Sequence, residues 1–302
     1  MTAPVLLHPN RERPRWHRAL SAALPGTPIV GVDDDLSTVR YALAWKPPPG
    51  LLARMPSLEV FFALGAGVNH LVDQLPPGIA LVRLEDAGMA EQMVSYHLYA
   101  VLHYFRRFDR FAAQQRAARW QVFPPPDPAA FRVRVLGHGV LGQAVGGALR
   151  DQGFDVAWWA RTPRDGVRHG AGGLRETLSE ADALIVLLPQ TPETVGLLDA
   201  ERLSWLPAGA AVINAARGAL VDVDALLSAL DAGALRGAFL DVAPVEPLPP
   251  GHALWRHPAV VLTPHIAAMT LPEPAVQQVA DNIRRHRRGG GLSGLVPRGR
   301  GY

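Results

Sequence analysis

Val133-Arg134-Val135-Leu136-Gly137-His138-Gly139-Val140-Leu141-Gly142 is the stretch on which the reading of this chain turns. A short, mostly apolar strand pattern runs straight into G-x-G-x-x-G, and a helix pattern follows. In that context each glycine has a physical task. Gly137 permits the tight turn, Gly139 lets a pyrophosphate approach the backbone, and Gly142 lets the helix pack on the strand. Phosphates would then meet free N–H groups at a helix N-terminus. Glycine-rich turns often do no more than turn, so the weight rests on the strand–turn–helix context, which predicts dinucleotide binding. Two residues stand out from the pattern. Arg134 lies in a strand that is normally central and apolar, so either it snorkels toward the strand's beginning or the strand is less buried. His138, at the variable loop position, reads as a solvated side chain.

Working outward, short apolar runs alternate with helical stretches, the signature of βαβ units and of parallel strands covered on both faces. A first series lies near Val5–Leu7, Tyr41–Trp45, Val60–Leu64 and Leu81–Leu84. A second follows at Val133–Leu136, Val156–Trp159, Ala183–Leu188, Ala211–Asn214, Ala238–Val242 and Val260–Thr263. Between them a helical segment is expected from about Gly88 to Trp120, capped by Asp86, with Met89, Met93, Tyr96 and Ala100 packing as a core stripe. Pro124-Pro125-Pro126 and Pro128 mark a linker. Gly289-Gly290-Gly291 is a flexible break, after which Leu295–Tyr302 must dock to be ordered.

The length of 302 residues suggests two domains at about 150 residues each. Hydrophobic residues at 48% and charged residues at 19% supply two cores and exclude disorder. Lys46 is the single lysine among 30 Lys and Arg residues, which leaves 29 arginines and a net charge of +3. That scatter of arginines is background composition and weak evidence for a nucleic-acid partner. The absence of Cys excludes disulfides, thiolate zinc sites and cysteine nucleophiles. The longest uncharged run, His257–Pro272, is broken by prolines and is no membrane span. The N-terminus lacks the pattern of a secretory signal, so a soluble cytoplasmic protein is expected.

The second strand of the dinucleotide unit identifies the expected cofactor. An NAD site usually carries Asp or Glu at the end of that strand for the ribose 2′-hydroxyl. Here Val156-Ala157-Trp158-Trp159 leads into Ala160-Arg161-Thr162-Pro163-Arg164, and Asp155 is at the wrong end. Arg161 offers a planar cationic fork and Thr162 a hydroxyl, which suits a 2′-phosphate, although an ordinary exposed loop Arg is the plain alternative. NADP(H) is the expectation, with NAD(H) as a poorer cofactor.

Three polar residues follow the later strands: Arg217 after Val212-Ile213-Asn214, Glu246 after Asp241-Val242, and His265 at the end of Val260-Val261-Leu262-Thr263-Pro264. Taken alone, they read as a surface Arg, a solvated carboxylate and a capping or core His. Together, at the carboxyl ends of strands in one doubly wound sheet, they form an acid–base set. Arg217 can grip a carboxylate bidentately, His265 titrates in the right range for proton transfer, and Glu246 can fix its tautomer.

The phrases Ile213-Asn214-Ala215-Ala216-Arg217-Gly218, Leu240-Asp241-Val242 with Glu246-Pro247-Leu248, and Thr263-Pro264-His265-Ile266-Ala267-Ala268 resemble those of the D-isomer-specific 2-hydroxyacid dehydrogenases. Within that family the chain is most similar to the glyoxylate/hydroxypyruvate reductase A type. Ala44-Trp45, Leu64-Gly65-Ala66-Gly67-Val68, Asp86 to Met93, Trp159-Ala160-Arg161-Thr162 and the closing Arg300-Gly301-Tyr302 carry that likeness. The resemblance implies an α/β protein of two doubly wound parallel-sheet domains. One is a flavodoxin-like substrate domain, residues 1–98 completed by 266–302, and the other a Rossmann dinucleotide-binding domain, residues 99–265, with a cleft between. It implies reduction of small 2-keto acids such as glyoxylate and hydroxypyruvate, with Arg217 as substrate anchor, His265 as general acid/base and Glu246 as its partner. Cofactor contacts are implied at Gly137, Gly139, Val140, Leu141, Gly142, Arg161, Thr162, Pro189, Ala215 and Asp241, the last holding the nicotinamide carboxamide. Substrate contacts are implied at Trp45, Ala66 and Gly67 together with Arg217. A homodimer formed through the cofactor domain is implied, with no metal, no nucleic acid and no membrane. Ala243 departs from the aromatic often found after Asp-Val. Two rivals are weighed against this reading: a dinucleotide-sensing corepressor, and nucleic-acid binding through Arg284, Arg285, Arg287 and Arg288, for which a solvated helix end is the ordinary explanation.

Overall fold

The computed structural model describes residues 2–9, 11–65, 67–72 and 74–297. The chain divides into two compact units, Met1–Met89 with Met269–Tyr302, and Ala90–Ala268. The chain thus passes between the units after Met89 and again after Ala268. Arg300-Gly301-Tyr302 lies outside the described residues.

In the first unit β1 (Val5–His8), α1 (Arg13–Ala23), β2 (Ile29–Val30), β3 (Tyr41–Ala44), β4 (Val60–Ala63), α2 (Asn69–Val72) and β5 (Ala80–Arg83) precede a C-terminal helix, Pro272–Arg287. The sheet has the flavodoxin-like order β2-β1-β3-β4-β5, parallel throughout. Leu6, Ala42, Ala44, Phe61 and Leu81 build a core on one face. Leu20 of α1 and Val279 and Ile283 of the C-terminal helix are wholly buried as well. The described part of the tail docks: Leu295 bridges Val82 and Val296 donates to the Leu81 carbonyl at 2.8 Å. Three of the four terminal arginines are occupied within the unit. Arg284 reaches the Ala23 carbonyl, Arg285 reaches Asn282, and Arg287 lies over the Tyr41 ring.

The second unit runs α3 (Met89–Phe105), α4 (Phe108–Arg116), β6 (Arg132–Leu136), α5 (Val140–Asp151), β7 (Asp155–Ala160), β8 (Arg168–His169), α6 (Gly170–Ser179), β9 (Ala183–Val186), α7 (Ala200–Leu203), β10 (Ala210–Asn214), α8 (Val223–Asp231), β11 (Leu235–Leu240) and β12 (Val260–Leu262). Its seven-stranded parallel sheet has the order β12-β11-β10-β9-β6-β7-β8, the Rossmann arrangement. Strand alternation divides the core: Val133, Val135, Ala183, Ile185, Ala211 and Ile213 face α3 and α5. Leu184, Val186, Val212 and Leu240 face α6 and α8.

One sequence expectation is corrected here. The helix expected from Gly88 to Trp120 breaks at Arg107, which adopts φ 61, in the left-handed region. No Pro or Gly marks that break. It is set instead by partners: Arg107 donates to the Pro124 carbonyl at 3.2 Å, and Asp109 takes the Arg236 guanidinium of β11 in two bonds at 2.6 and 2.5 Å. The edge strands β2 and β8 have two residues each, too short for a periodic signal. Arg134 does reach for the strand's beginning. Buried to 4% exposure, it bonds the Asp155 carboxylate at 2.9 Å, the Asp155 carbonyl at 3.0 Å and Glu180 at 3.0 Å.

Within α3, His97 is wholly buried, and its Nδ1 donates to the Met93 carbonyl at 2.7 Å. Nε2 is buried without a partner, and burial pushes the imidazole down to about 4. A folded-state pKa below the ordinary value of 6.5 means that the unfolded chain binds more protons between those limits. The stability His97 confers is therefore complete above pH 6.5 and is lost as pH falls toward about 4, a total on the order of 3 kcal/mol. Replacing His97 by Leu should flatten the acid limb of thermal-unfolding temperature against pH. An unaltered acid limb would show that another group carries it.

Candidate active site

β6 lies between β7 and β9, so the strand order reverses at its C-terminal end, where doubly wound sheets open a ligand crevice. The loop after β6 fits a dinucleotide phosphate on its own geometry. Gly137 sits at φ 122, and a Cβ there would come within 2.5 Å of the Leu187 carbonyl oxygen. At Gly142 a Cβ would lie 2.2 Å from the Gly137 oxygen, which is the close helix–strand packing the motif requires. Above Gly139, by contrast, nothing lies within 4 Å. No side chain caps the first turn of α5, so the leading N–H groups at Val140, Leu141 and Gly142 are presented to a ligand. His138 differs from the solvated expectation. Its ring stands edge-on to Trp158 at 5.5 Å, with Nδ1 buried and unpartnered. Burial lowers its pKa, and the charge of Arg164 adds to the effect.

At the end of β7, Arg161 is half-buried and its guanidinium pairs with Glu193 at 2.9 Å and Thr191 at 3.3 Å. The Thr191 hydroxyl donates to the same Glu193 oxygen at 2.7 Å, and that bond comes first among the causes holding the carboxyl below its ordinary value. Thr194 closes the loop by donating to the Pro189 carbonyl at 2.7 Å. Thr162 is exposed beside Arg161. Glu193 and the two threonines escape sequence reasoning because only the fold brings the loop after β9 to Arg161.

Arg217, Glu246 and His265 share the carboxyl-end loops of β10, β11 and β12. The Asn214 side chain clamps the first loop, donating to the Arg217 carbonyl and accepting from the Ala216 N–H, both at 3.0 Å. Ala215 lies half-buried in that clamp. Gly218 makes the next approach possible, since a Cβ would lie 2.1 Å from the Ala243 carbonyl carbon. Ala243, the departure in the sequence, serves through its backbone: its N–H donates to Glu246 Oε1 at 3.1 Å. The other Glu246 oxygen meets His265 Nδ1 at 2.7 Å, which turns Nε2 away from the carboxylate. Burial pushes the Arg217 guanidinium below its ordinary value, while the charge of Glu246 opposes that. Its Nη1 donates to the Ala216 carbonyl at 2.6 Å.

His265 adopts φ 56, an uncommon backbone state for a side chain other than glycine. Asp241, only 1% exposed, holds that turn. Its carbonyl accepts from the His265 N–H at 2.8 Å. Its carboxylate accepts from Thr263 Oγ1 at 2.7 Å and from the Ile266 and Ala267 N–H groups at 2.8 Å each. A carboxylate has about four acceptor sites, so these partners leave space for one further donor. Among the expected substrate contacts, Trp45 and Gly67 belong to the first unit, and Ala66 lies outside the described residues. Trp45, after β3, packs on the loop after β4: a Cβ on Gly65 would meet the indole at 2.0 Å. Among the described residues no cluster of His, Asp or Glu is arranged to hold a metal, and no helix is long and apolar enough to cross a membrane.

Residues 98–267 match the family model of the D-isomer specific 2-hydroxyacid dehydrogenase NAD binding domain. The fold is similar to that of a D-isomer specific 2-hydroxyacid dehydrogenase from Xanthobacter autotrophicus Py2 solved with NADPH and MES, at 42% identity and TM-score 0.95 over 100% of both chains. It is likewise similar to an NADPH-dependent glyoxylate/hydroxypyruvate reductase from Sinorhizobium meliloti solved with NADP and sulfate, at 33% identity and TM-score 0.93 over 100% of both chains. A probable 2-hydroxyacid dehydrogenase from Rhizobium etli CFN 42, solved with NADP, HEPES and L(+)-tartaric acid, matches at 34% identity and TM-score 0.90, again over 100% of both chains. With the phosphate-binding loop, the Glu246–His265 pair and the half-buried Arg217 in one unit, the chain belongs to the D-isomer specific 2-hydroxyacid dehydrogenase family.

Proposed function

We propose that this chain reduces small 2-keto acids, of the size of glyoxylate and hydroxypyruvate, to D-2-hydroxy acids with NADPH. The observation that carries the reading is the union of a half-buried, partly desolvated Arg217 with a hydrogen-bonded Glu246–His265 pair at adjacent strand ends. A desolvated guanidinium favours an anion with two parallel acceptors, which is what a carboxylate offers. His265, engaged by Glu246 at Nδ1, gives a proton from Nε2 to the keto oxygen as that oxygen becomes an alkoxide. Glu246 stabilises the imidazolium and fixes the ring tautomer. NADPH, when bound, supplies the hydride. Its pyrophosphate is received by Gly137, Gly139, Val140, Leu141 and Gly142, its 2′-phosphate by Arg161 and Thr162, and its remaining contacts by Pro189, Ala215 and Asp241. Relatives solved with NADP, one of them with a 2-hydroxy acid, support both halves of the reading. NADH, lacking the phosphate, is the poorer cofactor.

The same reading includes a homodimer. Trp120 is 98% exposed and Val122 81%, and both line one groove with Phe111 of α4. Tyr99 of α3 and Phe108 of α4 also face outward. Exposed apolar groups of this kind support an interface. Light scattering should give twice the mass of one chain, and Trp120→Glu should shift it to a monomer. A wild-type monomer would remove the dimer from the proposal.

Two substitutions test the chemistry. His265→Gln should lower kcat by roughly 100-fold or more while leaving NADPH affinity in place. Unchanged turnover would remove the acid role. Arg161→Ala should raise the Michaelis constant for NADPH about tenfold or more, the cost of one charge-assisted contact, and leave NADH nearly untouched. Equal losses with both cofactors would show that Arg161 does not read the phosphate. Tight NADPH binding without turnover on any of several 2-keto acids would favour a dinucleotide sensor instead.

A further inference from the structure

The half-buried Tyr96 of α3 points its phenol at the end of β12, where its oxygen lies 2.6 Å from Thr263 Oγ1. The proton order along this contact follows from chemistry. Thr263 has one hydroxyl proton and directs it to Asp241 Oδ1 at 2.7 Å, because a carboxylate oxygen accepts. Tyr96 is therefore the donor to Thr263. The result is a directed chain, Tyr96 to Thr263 to Asp241, ending on the carboxylate that also receives the Ile266 and Ala267 N–H groups. The Asp241 main chain takes the His265 N–H itself. The Tyr96 ring has little freedom, standing edge-on to Phe239 at 5.4 Å and to His97 at 5.6 Å. Burial and the nearby Asp241 charge both push the phenol above its ordinary pKa, so it remains a donor.

We propose that Tyr96 and Thr263 are positioning residues for the reduction. Through Asp241 they hold the left-handed turn that aims His265. The helix that enters the second unit thus braces the acid from behind without touching substrate. This rests on the reading of His265 as general acid. A loosened turn misplaces the proton donor, so the loss falls on kcat, while Arg217 and the phosphate loop keep their own supports.

The test uses Tyr96→Phe, Thr263→Val, Thr263→Ser and the Tyr96→Phe/Thr263→Val pair in the full-length enzyme, with His265→Gln as control. Tyr96→Phe and Thr263→Val should each lower kcat about fivefold to tenfold, the rate equivalent of one buried hydrogen bond. The Michaelis constants for NADPH and keto acid should stay at wild-type values. Thr263→Ser keeps the hydroxyl and should restore kcat. The double variant should be no slower than Thr263→Val, because one chain is broken once. Should Thr263→Val not fold, Tyr96→Phe and Thr263→Ser still decide the matter. Wild-type kcat in Tyr96→Phe, additive losses in the pair, Michaelis constants rising in step, or Thr263→Ser as impaired as Thr263→Val would each overturn the proposal. A His265→Gln enzyme of full activity would instead overturn the acid role on which it stands.

Discussion

A buried carboxylate with several donors is the constraint on which the rest of this unit depends. Asp241 ends β11 inside the protein, where an unsatisfied charge would cost several kcal/mol. Its demand is met by folding the chain after β12 back over it, so that Thr263, Ile266 and Ala267 all donate to the side chain. Only a left-handed residue between Pro264 and Ile266 completes that wrap, and the residue there is His265. The strain at His265 is thus offset by hydrogen bonds to Asp241 rather than by anything His265 does itself. The backbone geometry of His265 and the satisfaction of a buried charge are one structural event.

The same economy holds along the other strand ends. Asn214 closes β10 by binding both sides of the Ala216–Arg217 turn, and Gly218 lets that turn lie against Ala243. Ala243 in turn gives its N–H to Glu246, which meets His265. The loops after β10 and β11 are thus each closed from within and meet backbone to backbone, and glycine at 218 is what permits that meeting. The parallel sheet makes this possible because every strand of the set delivers its polar end to the same edge.

Sequence periodicity reveals strands such as β9 and β10, because alternate residues feed two different cores and all must be apolar. The glycine spacing reveals the turn between β6 and α5, because glycine is demanded at Gly137 and Gly142 by contacts under 3 Å. Periodicity does not reveal the helix break at Arg107, whose cause is a partner more than a hundred residues away, Arg236 on Asp109. Nor does it reveal Glu193 beside Arg161 or the buried face of His138. Tyr96 is the instructive case. Its spacing on α3 assigns it to the core, and its ring does pack there. Its hydroxyl, however, belongs to the turn behind His265, a contact spanning 167 residues that no local pattern encodes.

Arginine usage follows the same terms. Arg134 and Arg236 are each drawn toward the interior and each meets a carboxylate squarely. Arg132, Arg40 and Arg15 do the same nearer the surface. Arg217 is pulled from water as well, yet its hydrogen bond goes to the Ala216 carbonyl, and Glu246 influences it only through space. A guanidinium carries five N–H donors, and burying it with a neutral acceptor leaves much of its solvation unreplaced. The fold accepts that cost at the strand ends of the sheet. A cation kept short of a full counter-charge, beside the hydrogen-bonded Glu246–His265 pair, is the feature on which the proposed anchoring of a substrate carboxylate rests.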